Sequence, residues 1–376
     1  MKPKKLYAII VALLLIAGIV AGCAPKAGTA EESSPAPESA PAQSDSTTGP
    51  AESETYIFTD SVGREVELPK NIERVAPSGS LAQIVLFTLC PDKIVGLAND
   101  LSDVQFDYMD AKYRDLPVLG NFYADTLNLE SVMQTAPQVV IDIGQTMPNA
   151  ADDMDGIQER TGIPSIFVNL EMDTILDAYE TLGMVTGETE QAQKIIDYLS
   201  NTLKDVEQKA NSIPEDKRLK VYYGMDDGLT AVIKGTIHSD VIDYAAGINV
   251  SDVEESVRGG AATVSMEQLM LWQPDVAIFA PESIYDQVAS RTEWNRINAI
   301  KSGKYYEVPN GPYNWMGRPP SVNRIIGMKW LGNLLYPEVF DYDMIAETKE
   351  FYELFYHCNV SDDQIKDLLA KSTYKD

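Results

Sequence analysis

Between Thr189 and Asn211 the chain runs without Pro or Gly, and Ile195, Ile196, Leu199, Leu203 and Val206 recur at three- and four-residue spacing. Such spacing is the apolar stripe of one unbroken α-helix. At 1.5 Å per residue it reaches on the order of 30 Å, the width of a small domain, so it can join two bodies and still touch both. Pro214 stops it. On either side, short apolar runs alternate with helical patterns. Before it come a hairpin, Tyr56 to Thr59 and Arg64 to Leu68 around Asp60-Ser61-Val62-Gly63, and strands over 72–76, 94–97, 139–143 and 165–168. Helices are expected at 80–89, 129–134, 151–161 and 174–186. After it come strands over 220–223, 230–233, 276–279 and 305–308, with helices at 239–246 and 265–272. Alternation of this kind packs helices on both faces of a mostly parallel sheet. The predicted fold class is therefore α/β, with two Rossmann-like lobes, residues 56–188 and 212–376, joined by the 189–211 helix and separated by a ligand cleft.

The first fifty-five residues do not belong to either lobe. Lys2, Lys4 and Lys5 precede an apolar run, Leu6 to Ile19, that is too short to span a bilayer comfortably and ends in Val20-Ala21-Gly22-Cys23. Residues 1–22 read as a lipoprotein signal peptide, with Cys23 acylated as the new N-terminus. Residues 24–55 hold no aliphatic side chain larger than Ala and no aromatic. They cannot bury enough surface to order themselves, and the lipidated 23–55 segment is expected to be a disordered tether. Without the three basic residues of the signal, 27 Lys and Arg face 57 Asp and Glu, a net of −30. A surface so acidic argues against nucleic acid or anionic lipid as partner. Cys90 and Cys358 fit no metal spacing and are expected to be buried thiols.

One local pattern occurs twice. Leu127-Asn128-Leu129-Glu130-Ser131-Val132 runs through Ala136-Pro137-Gln138 into Val139-Val140-Ile141, and Val264-Ser265-Met266-Glu267-Gln268-Leu269 runs through Gln273-Pro274-Asp275 into Val276-Ala277-Ile278. Each has a polar cap, a first-turn glutamate, an apolar helix face and a Pro-terminated link into a core strand. By itself a first-turn glutamate only complements the helix dipole, worth about 0.3 to 1 kcal/mol.

Together with the Cys23 site and the bridging helix, these segments resemble the helical-backbone, or class III, binding proteins of ABC importers for iron-siderophores, haem and cobalamin. Arg74-Val75-Ala76-Pro77-Ser78-Gly79-Ser80, Cys90 to Gly96, Leu116 to Gly120 and His238 to Gly247 resemble further family segments, in order. The resemblance covers nearly all of residues 56–376. It implies that Glu130 and Glu267 dock onto the permease. It also implies a small-molecule ligand and a permease with its ATPase as partners; the chain is expected to be a monomer with no prosthetic group, held by the lipid on Cys23 at the outer face of the cytoplasmic membrane or in the periplasm. An iron chelate is the expected ligand, with cobalamin, haem or an oxyanion such as molybdate as alternatives.

In α/β lobes the ligand lies outside the strand ends. Position selects Ser78, Ser80, Asn121, Tyr123 and Gln145 from the first lobe, and Tyr223, Arg258, Tyr313, Trp315 and Arg318 from the second. The stretch from Tyr313 to Arg318, held between Asn310-Gly311-Pro312 and Pro319-Pro320, is expected as a rigid loop exposing Trp315 and Arg318 for stacking and for pairing with an anion. An enzyme is not expected. The chain has two histidines, no Gly-x-Ser-x-Gly, no His-Glu-x-x-His and no cysteine set for a cluster. A surface adhesin or signalling partner without small ligand is the alternative from another class.

Overall fold

The computed structural model describes residues 54–374, so the signal segment, Cys23 and nearly all of the tether lie outside the described residues. The chain enters through an antiparallel hairpin, β1 (Thr55–Thr59) and β2 (Glu65–Pro69), whose turn is closed by Gly63 at positive φ. Asp60 fastens this hairpin to the first sheet, since its carboxylate accepts from Phe167 N as well as from Arg64.

The first sheet is parallel throughout, β3 (Val75–Pro77), β4 (Val139–Gly144) and β5 (Ser165–Asn169) in that order. The run 94–97, expected as a strand, makes only single bridges, Ile94 to Val75 and Leu97 to Val118. The second sheet has the order β11 (Tyr305–Glu307), β10 (Val276–Phe279), β6 (Lys220–Met225), β7 (Thr230–Val232) and β9 (Ala261–Thr263), with β8 (Ile248–Asn249) beside β6. Here β10 pairs parallel with β11 and β6, and β8 parallel with β6, while β7 pairs antiparallel with β6 and β9, so this sheet is parallel in its centre and antiparallel at one side. A tight turn at Asp226 to Gly228 returns the chain directly, leaving no room for a crossover helix.

The bridging helix spans Thr189–Asn211 and buries Ala192, Ile195, Leu199, Val206 and Ala210 along one face. It packs on Ile175–Thr186 from the first half and on Asn323–Leu335 from the second. The first crossing is close. A Cβ on Gly183 would stand 2.5 Å from that of Ala192, so only glycine fits there. Asn323–Leu335 is buried on almost every side, with Arg324 paired to Asp240 and Lys329 to Glu347. The helix expected over 239–246 is a short one, Asp240–Tyr244.

The C-terminal region is more than a tail. Met344–Tyr356 packs against Asn323–Leu335, against the bridging helix and also against Ser80–Leu89 of the first half. Phe351 and Phe355 stack at 4.4 Å, and Tyr352 meets Tyr108 at 5.1 Å. His357 lies against Thr88 O, and Gln191 reaches Leu354 O. Cys90, a free thiol at the C-cap of Ser80–Leu89, is buried and pushed up to about 12 by that burial; Cys358, also free, is only half-buried.

Candidate functional site

Asp142 sits in the middle of β4, a strand with every residue buried, and is itself 2 % exposed. Burial raises its carboxyl above the ordinary aspartate value, while hydrogen bonds from Ser78 and Tyr123 work in the opposite direction. The Ser78 hydroxyl donates to one carboxylate oxygen and Tyr123 Oη donates to the other at 2.7 Å. Burial and the neighbouring Asp142 charge raise the Tyr123 phenol, which therefore stays protonated and donates. The ring itself is 47 % exposed. It lies over Gly79, where a Cβ would come within 3.1 Å of Cδ2. A buried charge thus holds an exposed aromatic in one place.

This network corrects the expectation for Ser78, whose hydroxyl faces inward and is committed to Asp142. Asn121 is also nearly buried. Its Oδ1 accepts from Tyr123 N at 3.0 Å, and its Nδ2 donates to Ser80 Oγ at 2.7 Å. Asn99 Nδ2 donates to the same Ser80 oxygen, so Ser80 closes a polar belt around the helix start. Asn121 and Tyr123 cover this helix N-terminus. Gln145 is exposed and donates to Glu171 Oε1 at 2.5 Å.

Beside Tyr123 opens a crevice of about 410 Å³, lined from the first half by Phe122, Tyr123, Asp125, Met147, Asn149 and Asp153 and from the second by Arg258. That volume lies within the range of small-molecule sites. Arg258 is exposed in the loop before β9. Its neighbour Gly259 accepts from Arg318 Nη2 at 2.7 Å, which ties the two arginines to one loop. Burial lowers the Arg318 guanidinium below the ordinary arginine value, opposed by Tyr223 and Asp226. Its Nε reaches no acceptor, and among the described residues neither Arg258 nor Arg318 forms an ion pair. A partly buried guanidinium without a counter-ion is costly unless an anion arrives to pair with it.

The remaining second-half candidates are placed otherwise than expected. Trp315 is 0 % exposed, and Tyr313 and Tyr223 are buried with it in the main core. The reason is the C-terminal helix. Tyr356 packs its ring 6.3 Å from Tyr313, and Tyr352 donates to Gly311 O, so the expected exposed loop lies under an aromatic cover. From the 313–318 stretch only Arg318 keeps partial exposure. Asp142 was missed by sequence reasoning, although a lone acid inside the run Val139-Val140-Ile141-Asp142-Ile143 is a readable signal.

The two acidic helices are alike in detail. Asn128 Oδ1 caps Leu129–Thr135 by accepting from Glu130 N and Ser131 N, and Ser265 Oγ caps Met266–Trp272 by accepting from Gln268 N. Each helix ends on a residue at φ 44°, Ala136 or Gln273. Each then ties the following link to its sheet, Gln138 Oε1 accepting from Glu73 N and Arg74 N, Asp275 Oδ2 from Lys220 N. Glu130 and Glu267 are both exposed. Glu267 is held below the ordinary glutamate value by its own backbone N–H and by Ser265. A larger hollow of about 780 Å³ lies along the bridging helix, lined by Asp197, Asp205, Glu347, Glu350 and Glu353 against Lys194 and Lys329. Its acids make it a poor host for an anion.

Among the described residues no helix is long and apolar enough to cross a membrane, and no three His, Cys, Asp or Glu side chains are grouped to hold a metal ion. A curated relative, the uncharacterized ABC transporter substrate-binding lipoprotein YvrC of Bacillus subtilis, is 23% identical over 90% of this chain and 99% of its own. An ABC transporter solute binding protein from Sulfurospirillum deleyianum superposes with a TM-score of 0.77 at 27% identity, covering 84% of this chain and 99% of that one. MolA, a molybdate periplasmic binding protein of Haemophilus influenzae, shares the fold at a TM-score of 0.65 and 20% identity, over 81% and 99% of the two chains. The family described as periplasmic binding protein matches residues 80–312, and the chain belongs to it, in the helical-backbone class of ABC transporter substrate-binding proteins.

Proposed function

We propose that this substrate-binding protein captures an iron chelate of siderophore type in the crevice beside Tyr123 and delivers it to its permease while tethered to the membrane through a lipid on Cys23. The observation that carries the reading is the pair Arg258 and Arg318. On a chain of formal net charge −27, two guanidinium groups joined through one loop form no ion pair among the described residues. An anionic ligand is what such a pair is suited to receive. Phe122 and Tyr123 supply aromatic surface for a planar chelating group. Asp125 and Asp153 supply acceptors, which match a ligand carrying N–H or O–H groups as well as anionic oxygens and repel a bare oxyanion. Haem has less support, because His238 is turned to Gly317 O and His357 to Thr88 O.

A ligand bound only by the folded state raises the melting temperature by mass action. A thermal-shift panel of ferric catecholates, ferric hydroxamates, cobalamin, haem and molybdate separates the readings. A rise with one ferric chelate class alone is the expected result. A rise with cobalamin or molybdate in its place moves the assignment to that ligand, and no response to any of them favours a role without a small ligand.

A further inference from the structure

The two acidic helices each carry a second feature that solvent does not require. Met133 on Leu129–Thr135 is 44 % exposed and Leu271 on Met266–Trp272 is 79 % exposed. Both helices are seven residues long, and their remaining large apolar side chains, Val132 and Leu269 among them, are buried or packed against the cores. Side chains three and four residues apart share a helix face. Met133 therefore stands beside Glu130, and Leu271 beside Glu267.

The repeat shows that Leu271 is not filling a structural place. With Glu130 set against Glu267, Leu271 occupies the position of Gln134, whose amide reaches the Glu130 carboxylate at 3.4 Å. A leucine makes no such bond, and its side chain is left in water next to the exposed Glu267 carboxylate. Neither glutamate takes part in an ion pair among the described residues. A carboxylate in no ion pair thus stands beside an uncovered apolar side chain once in each half, three residues on in the first helix and four residues on in the second.

We propose that Met133 and Leu271 are contact residues for the permease, forming with Glu130 and Glu267 two mixed acidic and apolar patches that fit a partner surface presenting a cation beside an apolar pocket. The inference rests on the docking role of the two glutamates. Two exposed carboxylates in no ion pair, each beside an exposed apolar side chain, argue for a basic partner surface. Carboxylates steer a basic surface into register, and an apolar neighbour that is covered on contact excludes water from around the ion pair and slows departure.

The test is binding of the purified protein to the permease with its ATPase in lipid nanodiscs, measured at low and high salt. Met133→Gln with Leu271→Gln is expected to weaken binding at least about tenfold at both salt concentrations, because covering apolar surface is not screened. Glu130→Gln with Glu267→Gln is expected to flatten the salt dependence. Leu271→Ala removes the same apolar area with no loss of helix propensity and should give an intermediate weakening at unchanged melting temperature. If the Gln-for-apolar pair binds as the parent does while the glutamate pair does not, the inference fails and docking stands. If the glutamate pair binds as the parent at low salt, the docking reading itself fails.

Discussion

Asp142 shows what a single residue can do for this site. Its carboxyl is raised by burial, so the folded protein holds a proton over a pH range in which the unfolded chain has released it. Such a group contributes stability that is full below the unfolded value and is lost as pH rises through the folded one. Asp142→Asn has no proton to lose. The melting temperature of the parent minus that of the variant is therefore expected to fall as pH rises from about 4 and to level off above the folded value. A difference that stays flat with pH would contradict it. Trp315 makes the opposite point. An aromatic on a Gly- and Pro-bounded stretch reads as exposed, but the cover comes from residues 352 and 356, which local pattern does not connect to it. Trp315→Ala is expected to cost about 3–5 kcal/mol in urea unfolding, and a loss below about 1 kcal/mol would put the ring at the surface.

At the scale of elements, the legible parts were those whose signals are local. The bridging helix, Ser80–Leu89 and the two acidic helices follow from apolar spacing and caps, and the structure places them within a residue or two of the expected bounds. The stretch 94–97 reads as a strand because it is short and apolar, yet it makes only single bridges, Ile94 to Val75 and Leu97 to Val118. The antiparallel pairing of β7 was not legible either, since both parallel and antiparallel core strands read as apolar runs. The repeated helix ending makes its own prediction. Ala136 sits at φ 44°, a left-handed C-cap where Ala is strained and Gly is not. Ala136→Gly is expected to stabilise by about 0.5–1 kcal/mol in urea unfolding; destabilisation would show that the Ala methyl matters more than the backbone.

For the whole molecule, two helices rather than one brace the two sheets. The bridging helix touches both halves, and Met344–Tyr356 does the same through Ser80–Leu89 and Asn323–Leu335. Its contacts with the first half, Tyr352 on Tyr108 and His357 on Thr88 O, would have to be broken for the halves to swing widely apart. Small-angle scattering with and without ligand is expected to show a change of only a few degrees in lobe angle, and a large expansion without ligand would show that the second brace does not hold. A rigid frame leaves ligand choice to the crevice lining, where the first half contributes aromatic and acidic groups and the second contributes arginine.

The most direct measurement is calorimetric titration of the ferric chelate that raises the melting temperature, on the parent protein and on Arg258→Met with Arg318→Met. Paired charge-assisted hydrogen bonds predict a loss of about 3 kcal/mol or more in binding free energy with folding retained. A dissociation constant unchanged by removing both guanidinium groups would mean that they do not hold the ligand and that capture in this crevice is not anion recognition.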